Sequence, residues 1–196
     1  VWAEDDPRLL DTAEALLEGC FVRGGFFQDM IHSGINPYLT LHVAQVLLRA
    51  GDPRALELFE TVCRLASPTG QWPEAVHPRT GGGCMGDGQH AWAAAEWVLF
   101  LRNCFVREEG SGLVLGAGLR EEWLGEEGFA SFGPTPTPWG PVTVEARRVG
   151  GEIEVECHGE WRGAVPPLTV QLPKRPSTLP VPASEPGLAV TEGASP

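Results

Sequence analysis

Two glycine-rich stretches hold most of the side chains that can move protons, bind hydroxyl groups or ligate a metal. The first, residues 21–36, carries Asp29 and His32 among Gly24, Gly25 and Gly34. The second, residues 67–90, carries Trp72, Glu74, His77, Arg79, Cys84, Asp87 and His90 around Gly81, Gly82, Gly83, Gly86 and Gly88. Glycine lets backbone approach a ligand closely. Three chemistries compete for the second stretch. Gly81-x-Gly83-x-x-Gly86 satisfies a dinucleotide fingerprint, but residues 72–78 make a poor strand and no βαβ unit surrounds them. His77, Cys84, Asp87 and His90 have the ligand types of a metal site, but their spacing matches no common zinc pattern. The third reading is a sugar site. Trp72 would stack on a sugar ring, and Arg79, Asp87, His77 and His90 would bind hydroxyls, with His32 as a further contact from the first stretch. Glycosidic cleavage needs two carboxyl groups: one protonates the leaving oxygen, the other activates water or attacks carbon. Glu74 is the first candidate. Asp29, on the other stretch, is the best second one within the chain, although a loop Asp bonded to backbone is the plainer reading of it.

Helices must position these stretches. Asp6-Pro7 and Asn36-Pro37 each pair an N-cap residue with proline at the first helical position. The first helix is amphipathic, with Leu9, Leu10, Ala13, Leu16, Leu17 and Cys20 at helical spacing. The second runs to Ala50 and is mostly apolar. Gly51-Asp52-Pro53 stops it and caps a third, amphipathic helix reaching Ala66. A fourth starts near Asp87 or Gly88, runs to about Val106, and is apolar almost all round, which predicts a buried helix. Amphipathic and apolar helices thus alternate, as in two layers with the apolar ones inside. In an up-down array alternate connections share one end. The two long stretches therefore open onto one rim, and long loops in a compact chain are uncommon unless functional.

The pattern changes after Arg107, and a boundary is expected near residues 109–112. Leu113–Leu115 reads as a strand. Two alternating runs, through Val142, Val144, Ala146 and through Ile153, Val155, Cys157, flank Gly150-Gly151 and predict a β-hairpin. Leu168–Val170 continues the pattern. The fold class is α+β: helices over 1–109, a small antiparallel β-domain over 110–175, and a proline-rich tail over 176–196 that is expected to be disordered.

The 196 residues carry 14 Lys and Arg against 26 Asp and Glu, a net charge of −12. This argues against nucleic acid, whose binding rests on basic patches. No apolar run is long enough to span a bilayer, so no membrane partner is expected. Five cysteines at irregular spacing include no C-x-x-C. Cys20, Cys63 and Cys104 fall on apolar helix faces and read as buried free thiols, which suggests a reducing cytoplasm. The opening Val1-Trp2-Ala3-Glu4 has no Met and no signal pattern, and the chain is expected to be an excerpt of a longer one.

Residues 71–96 resemble the last catalytic-face loop of the six-hairpin (α/α)6-toroid glycosidases of the glucoamylase-like superfamily. There a segment with a catalytic-base Glu precedes a Gly-rich turn and a helix opening on Trp. Glu74 and Trp92 match that layout. Leu119–Leu124 resembles the Pro-x-x-Trp-Leu turn in the C-terminal β-domain of bacterial members, with Arg120 in place of proline, and residues 134–141 resemble the linker that follows. The resemblance implies the C-terminal part of such an enzyme: about four of twelve toroid helices, then the β-domain. It implies hydrolysis of an O-glycosidic bond by general acid–base catalysis, with Trp92 among the substrate-binding residues and the acid Glu upstream of this chain. Neither a metal nor a cofactor is expected. The implied partners are an oligosaccharide or glycoside and the N-terminal remainder of the enzyme. Two alternatives stand. Phosphorylases share the fold, and Arg79 and His77 in a Gly-rich loop suit phosphate. A non-catalytic sugar-binding or structural helical protein is the other.

Overall fold

In the computed structural model of the chain, residues 6–30 and 33–173 are described. His32 and the expected tail over 176–196 lie outside them. The chain is mixed α+β, with helices α1 (Pro7–Cys20), α2 (Pro37–Ala50), α3 (Arg54–Leu65) and α4 (Ala91–Phe105). The caps work locally. Asp6 accepts the backbone N–H of Arg8, and Asn36 Oδ1 accepts that of Leu39 at 3.0 Å. Gly51 is left-handed (φ 69°) and donates to the carbonyls of Leu47 and Leu48, which closes α2 with bonds a β-carbon would strain. Arg54 then joins Asp52 to Glu14, tying the start of α3 to α1.

Leu41, Ala44, Leu47 and Leu48 of α2 are buried, as are Leu58, Phe59 and Val62 of α3. Each large side chain removed from water contributes about 1.5–3 kcal/mol. Phe59 stacks on Trp97 and Phe100 of α4, with ring centres 5.6 and 4.9 Å away.

Two expectations for α4 fail. It begins at Ala91, because Asp87 accepts the N–H of Gln89 and Gly88 is left-handed, so the residues before His90 form a turn instead of a helical one. Nor is it buried all round: Ala93, Phe100 and Cys104 face the core, while Trp92, Val98 and Leu99 are exposed. α4 packs against α2 and α3 through one side only. Cys63 is exposed too, its Sγ accepting from Trp97 Nε1 at 3.2 Å.

The long stretches hold short strands that periodicity does not reveal. β1 (Phe21–Val22), β2 (Gly25–Gln28), β3 (Gly34–Ile35), β4 (Ala75–Val76) and β5 (Gly83–Met85) form one five-stranded sheet in chain order. Beyond α4 come β6 (Val106–Glu109), β7 (Gly112–Leu115), a 3-10 helix (Glu121–Leu124), β8 (Phe129–Thr135), β9 (Val142–Val149), β10 (Glu152–Gly159) and β11 (Leu168–Val170). The hairpin turns at Gly150-Gly151, with Val149 opposite Glu152. These strands form two three-stranded sheets, β10-β9-β8 and β11-β7-β6. The expected purely antiparallel domain is corrected at one pair: β11 runs parallel to β7. The chain returns through Pro167, whose carbonyl accepts Leu113 N–H at 2.9 Å.

Phe105 at the end of α4 stacks on Trp123 and Phe132, joining helices to strands. Arg107 is fully buried beneath this junction and bonds Glu109 and Gln171. Among the described residues no helix is long and apolar enough to cross a membrane.

Candidate active site at the helical rim

The two long stretches meet at the rim. β3 from the first pairs with β4 from the second, Ile35 opposite Val76. The contact requires glycine at Gly34, where a β-carbon would lie 2.6 Å from Cys84 Sγ and 2.9 Å from the Val76 carbonyl. The Cys84 thiol donates to the carbonyls of Ser33 and Ala75, one on each stretch. Asn36 holds the sheet to α2: its Nδ2 donates to Gln28 Oε1 at 2.8 Å while its backbone N–H donates to the Phe26 carbonyl. Thr40 Oγ1 accepts the Phe26 N–H from one turn further along.

Glu74 sits just before β4 and is half-buried. Its backbone N–H donates to the Met85 carbonyl at 3.0 Å. Gly86 lies against it, left-handed (φ 77°), and a β-carbon there would crowd it at 3.1 Å from Glu74 N and 3.2 Å from its Cβ. The Glu74 carboxylate has no ion pair or hydrogen bond to another described residue. It is held by its backbone and left available at its tip.

Asp29 is exposed in the turn between β2 and β3 and accepts from Ser33 Oγ at 3.3 Å. It shares the rim sheet with Glu74 but serves its own turn. His77 Nδ1 accepts the N–H groups of Arg79 and Thr80, closing the turn that returns to β5. An accepting Nδ1 leaves the hydrogen on Nε2. Arg79 is exposed at the tip of that turn, and Asp87 is exposed with its carboxylate on Gln89.

Trp72 is not a stacking face. It is 6% exposed, donates from Nε1 to the Val62 carbonyl at 2.8 Å, and packs 6.2 Å from Trp97. The rim tryptophan open to solvent is Trp92, 65% exposed. It stands edge-on to Tyr38 at 5.6 Å and to His90 at 5.8 Å, and Tyr38 also contacts His90 and His42. Trp92 opens α4 and Tyr38 opens α2, so the aromatic cluster spans the starts of both apolar helices. The His90 backbone N–H donates to the Trp72 carbonyl, while its ring Nδ1 is buried without a hydrogen-bond partner. A buried unpaired nitrogen costs about 1–3 kcal/mol.

Below the cluster a polar seam joins the helices. His42 Nε2 lies 3.2 Å from Glu96 Oε1, and Asn103 Nδ2 donates to Gln45 Oε1 at 3.0 Å. Tyr38, His42 and Glu96 are rim-side residues outside the two Gly-rich stretches. The signal was present: Tyr38 and His42, like Trp92 and Glu96, are i, i+4 pairs on the first turns of their helices.

The competing readings of the Gly-rich loop fare poorly. Gly83 lies in an antiparallel strand, with no βαβ unit around it. His77 Nδ1 accepts from backbone N–H groups and Cys84 Sγ contacts backbone carbonyls. The one group of three His or carboxylate ligands drawn together among the described residues is elsewhere, at Glu145, Glu156 and His158. Comparison with protein-family models, curated proteins and solved structures finds no match to this chain.

Proposed function

We propose that the chain is the C-terminal part of a six-hairpin glycosidase, acting on O-glycosidic bonds with Glu74 as general base. The observation that carries this reading is the pairing of a half-buried, unpartnered Glu74 carboxylate with an exposed aromatic cluster on the same rim. A sugar presents apolar C–H faces and hydroxyl edges. Trp92 and Tyr38 suit the faces; Arg79, Asp87 and His90 suit the hydroxyls. Glu74 then takes a proton from water as it attacks the anomeric carbon, while a carboxylic acid in the N-terminal remainder protonates the leaving oxygen.

The toroid follows from the same reading. α1 and α3 form an outer layer and α2 and α4 an inner one, and the remaining helical hairpins cover the apolar face of α4. Five free thiols accord with a cytoplasmic setting. A second reading, a non-catalytic sugar-binding protein, draws on Asp29, an exposed turn residue whose carboxylate touches Ser33 Oγ at 3.3 Å.

The test is an oligosaccharide panel offered to the full-length enzyme and its Glu74→Gln variant, with sugar release measured with and without phosphate. Release in buffer alone that collapses in the variant supports hydrolysis. Release only with phosphate moves the assignment to a phosphorylase. Saturable sugar binding without release moves it to the binding protein.

A further inference from the structure

β11 ends its sheet on one side, and among the described residues no strand lies against its outer edge. Its pairing with β7 decides which backbone groups are open there. The Pro167 carbonyl accepts the Leu113 N–H, and the Gln171 N–H donates to the Leu115 carbonyl, both at 2.9 Å. The odd-numbered residues therefore spend their backbone groups on β7. Backbone groups alternate in direction along a strand, so Leu168 and Val170 turn theirs to the open edge. The same two residues carry exposed apolar side chains. They stand level with Leu113 and Leu115 of β7, and residues that are level share one face of a sheet. Leu113 and Leu115 are buried, whereas Leu168 is 42% and Val170 53% exposed. The core face of the sheet thus runs out to its margin and stops there, with no described residue to continue it.

We propose that this edge pairs antiparallel with the same edge of a second copy of the chain, about a two-fold axis at Val170. The sequence selects the occupant. Leu168-Thr169-Val170-Gln171-Leu172 has the same pattern of apolar and polar residues in either direction. A two-fold at Val170 sets Leu168 opposite Leu172 of the second copy, Thr169 opposite its Gln171, and Val170 opposite itself. Apolar meets apolar, polar meets polar, and no charge lies in the row. Val170 exchanges both of its open backbone bonds with its own copy. Two three-stranded sheets become one of six strands. The long edge strand β10 is built differently. It carries Glu152, Glu154 and Glu156 on one face, so pairing with itself would set like charges against each other. A chain of net charge −12 guards that edge and leaves β11 uncharged.

The experiment follows the full chain by sedimentation velocity over a rising concentration series, with amide exchange measured at each concentration. A monomer–dimer equilibrium is expected. Exchange at Leu168 and Val170 should slow as the dimer fills. The Gln171 N–H, already bonded to Leu115, should keep its rate. Val170→Lys sets two cations face to face at the axis and should abolish the dimer at every concentration. Val170→Pro removes an N–H that β7 does not use. It should abolish the dimer too, with Gln171 exchange unchanged as the sign that the sheet is intact. Glu154→Lys on β10 and Leu99→Glu on the open side of α4 should leave association as it is. The exchange pattern of the native chain decides even where a variant fails to fold. Three results would overturn the proposal. One is a monomer throughout the series. Another is a dimer in which Leu168 and Val170 exchange as fast as in the monomer. The third is a dimer that survives Val170→Lys and is lost in Leu99→Glu, which moves the contact to α4.

Discussion

His42 Nε2 and Glu96 Oε1 lie 3.2 Å apart, one helical turn below the aromatic rings of Tyr38 and Trp92. The contact links α2 to α4 at the level where rim meets core. His42 is half open to solvent, so the pair adds little stability. A double-mutant cycle with His42→Ala and Glu96→Ala is expected to give a coupling of about 0.2–1 kcal/mol. A coupling indistinguishable from zero would mean that the two side chains meet without an electrostatic bond.

The two tryptophans flanking the Gly-rich turn should separate by experiment. Trp72→Ala removes a buried ring and its bond to Val62, and is expected to cost about 3–5 kcal/mol in denaturant unfolding. Trp92→Ala should change stability by less than about 1 kcal/mol while weakening sugar binding. Comparable destabilisation by both would contradict their placement.

Catalysis should follow Glu74. In the complete enzyme Glu74→Gln keeps shape and removes the titratable group, so kcat should fall on the order of 10²–10⁴-fold with little change in KM. Asp29→Asn should lose far less, since Asp29 is an exposed residue of its own turn. A loss as deep as that of Glu74→Gln would make the two a catalytic pair.

Gly34→Ala tests the junction of the two rim stretches. The added methyl meets Cys84 Sγ, the Val76 carbonyl and Ala75 Cβ at 3.0 Å or less. A cost of about 1–3 kcal/mol is expected, with faster amide exchange at Ile35 and Val76. Cys84→Ala in the same chain should recover part of it by clearing the nearest atom.

Acid should unfold the molecule through its ion pairs. The hydrogen bond from Arg54 holds Asp52 below the usual carboxylate range. Burial pushes Glu108 upward, but hydrogen bonds from Arg102 and backbone outweigh it and leave it lowered. A carboxylate lowered in the folded state stabilises above its unfolded value and loses that contribution as pH falls through the folded one. Stability should therefore decline from about pH 5 downward. In Arg102→Gln the decline should be shallower, as read from urea midpoints across pH. An unchanged slope would remove Glu108 from the account.

The helices were legible because their signals are local. Asp6, Asn36 and Gly51 each bond backbone within four residues of themselves, so residue type alone marks the boundary. The rim sheet was not legible, because strands of two to four residues are too short to show a period. Its decisive pair, Ile35 and Val76, comes from different stretches. Trp72 and Trp92 look alike in sequence, each beside glycines and polar groups. What buries one and exposes the other is distant packing: Val62 and Trp97 around Trp72, and nothing over the outer side of α4 among the described residues. Glu74 was found by its residue type in a Gly-rich loop, yet its unpartnered carboxylate depends on Gly86 and Met85, which only the folded loop brings against it.

The direction of α2 and α4 has an electrostatic consequence. Both start at the rim, so both macrodipoles turn their positive ends toward it, each worth about half an elementary charge. α1 and α3 run the opposite way and bring their negative ends to the same level. Although the chain carries a net charge of −12, the rim is graded, positive on the inside and negative on the outside. Charge that develops on oxygen near the start of α4 is therefore stabilised by peptide groups, and the same charge a helix diameter outward is not.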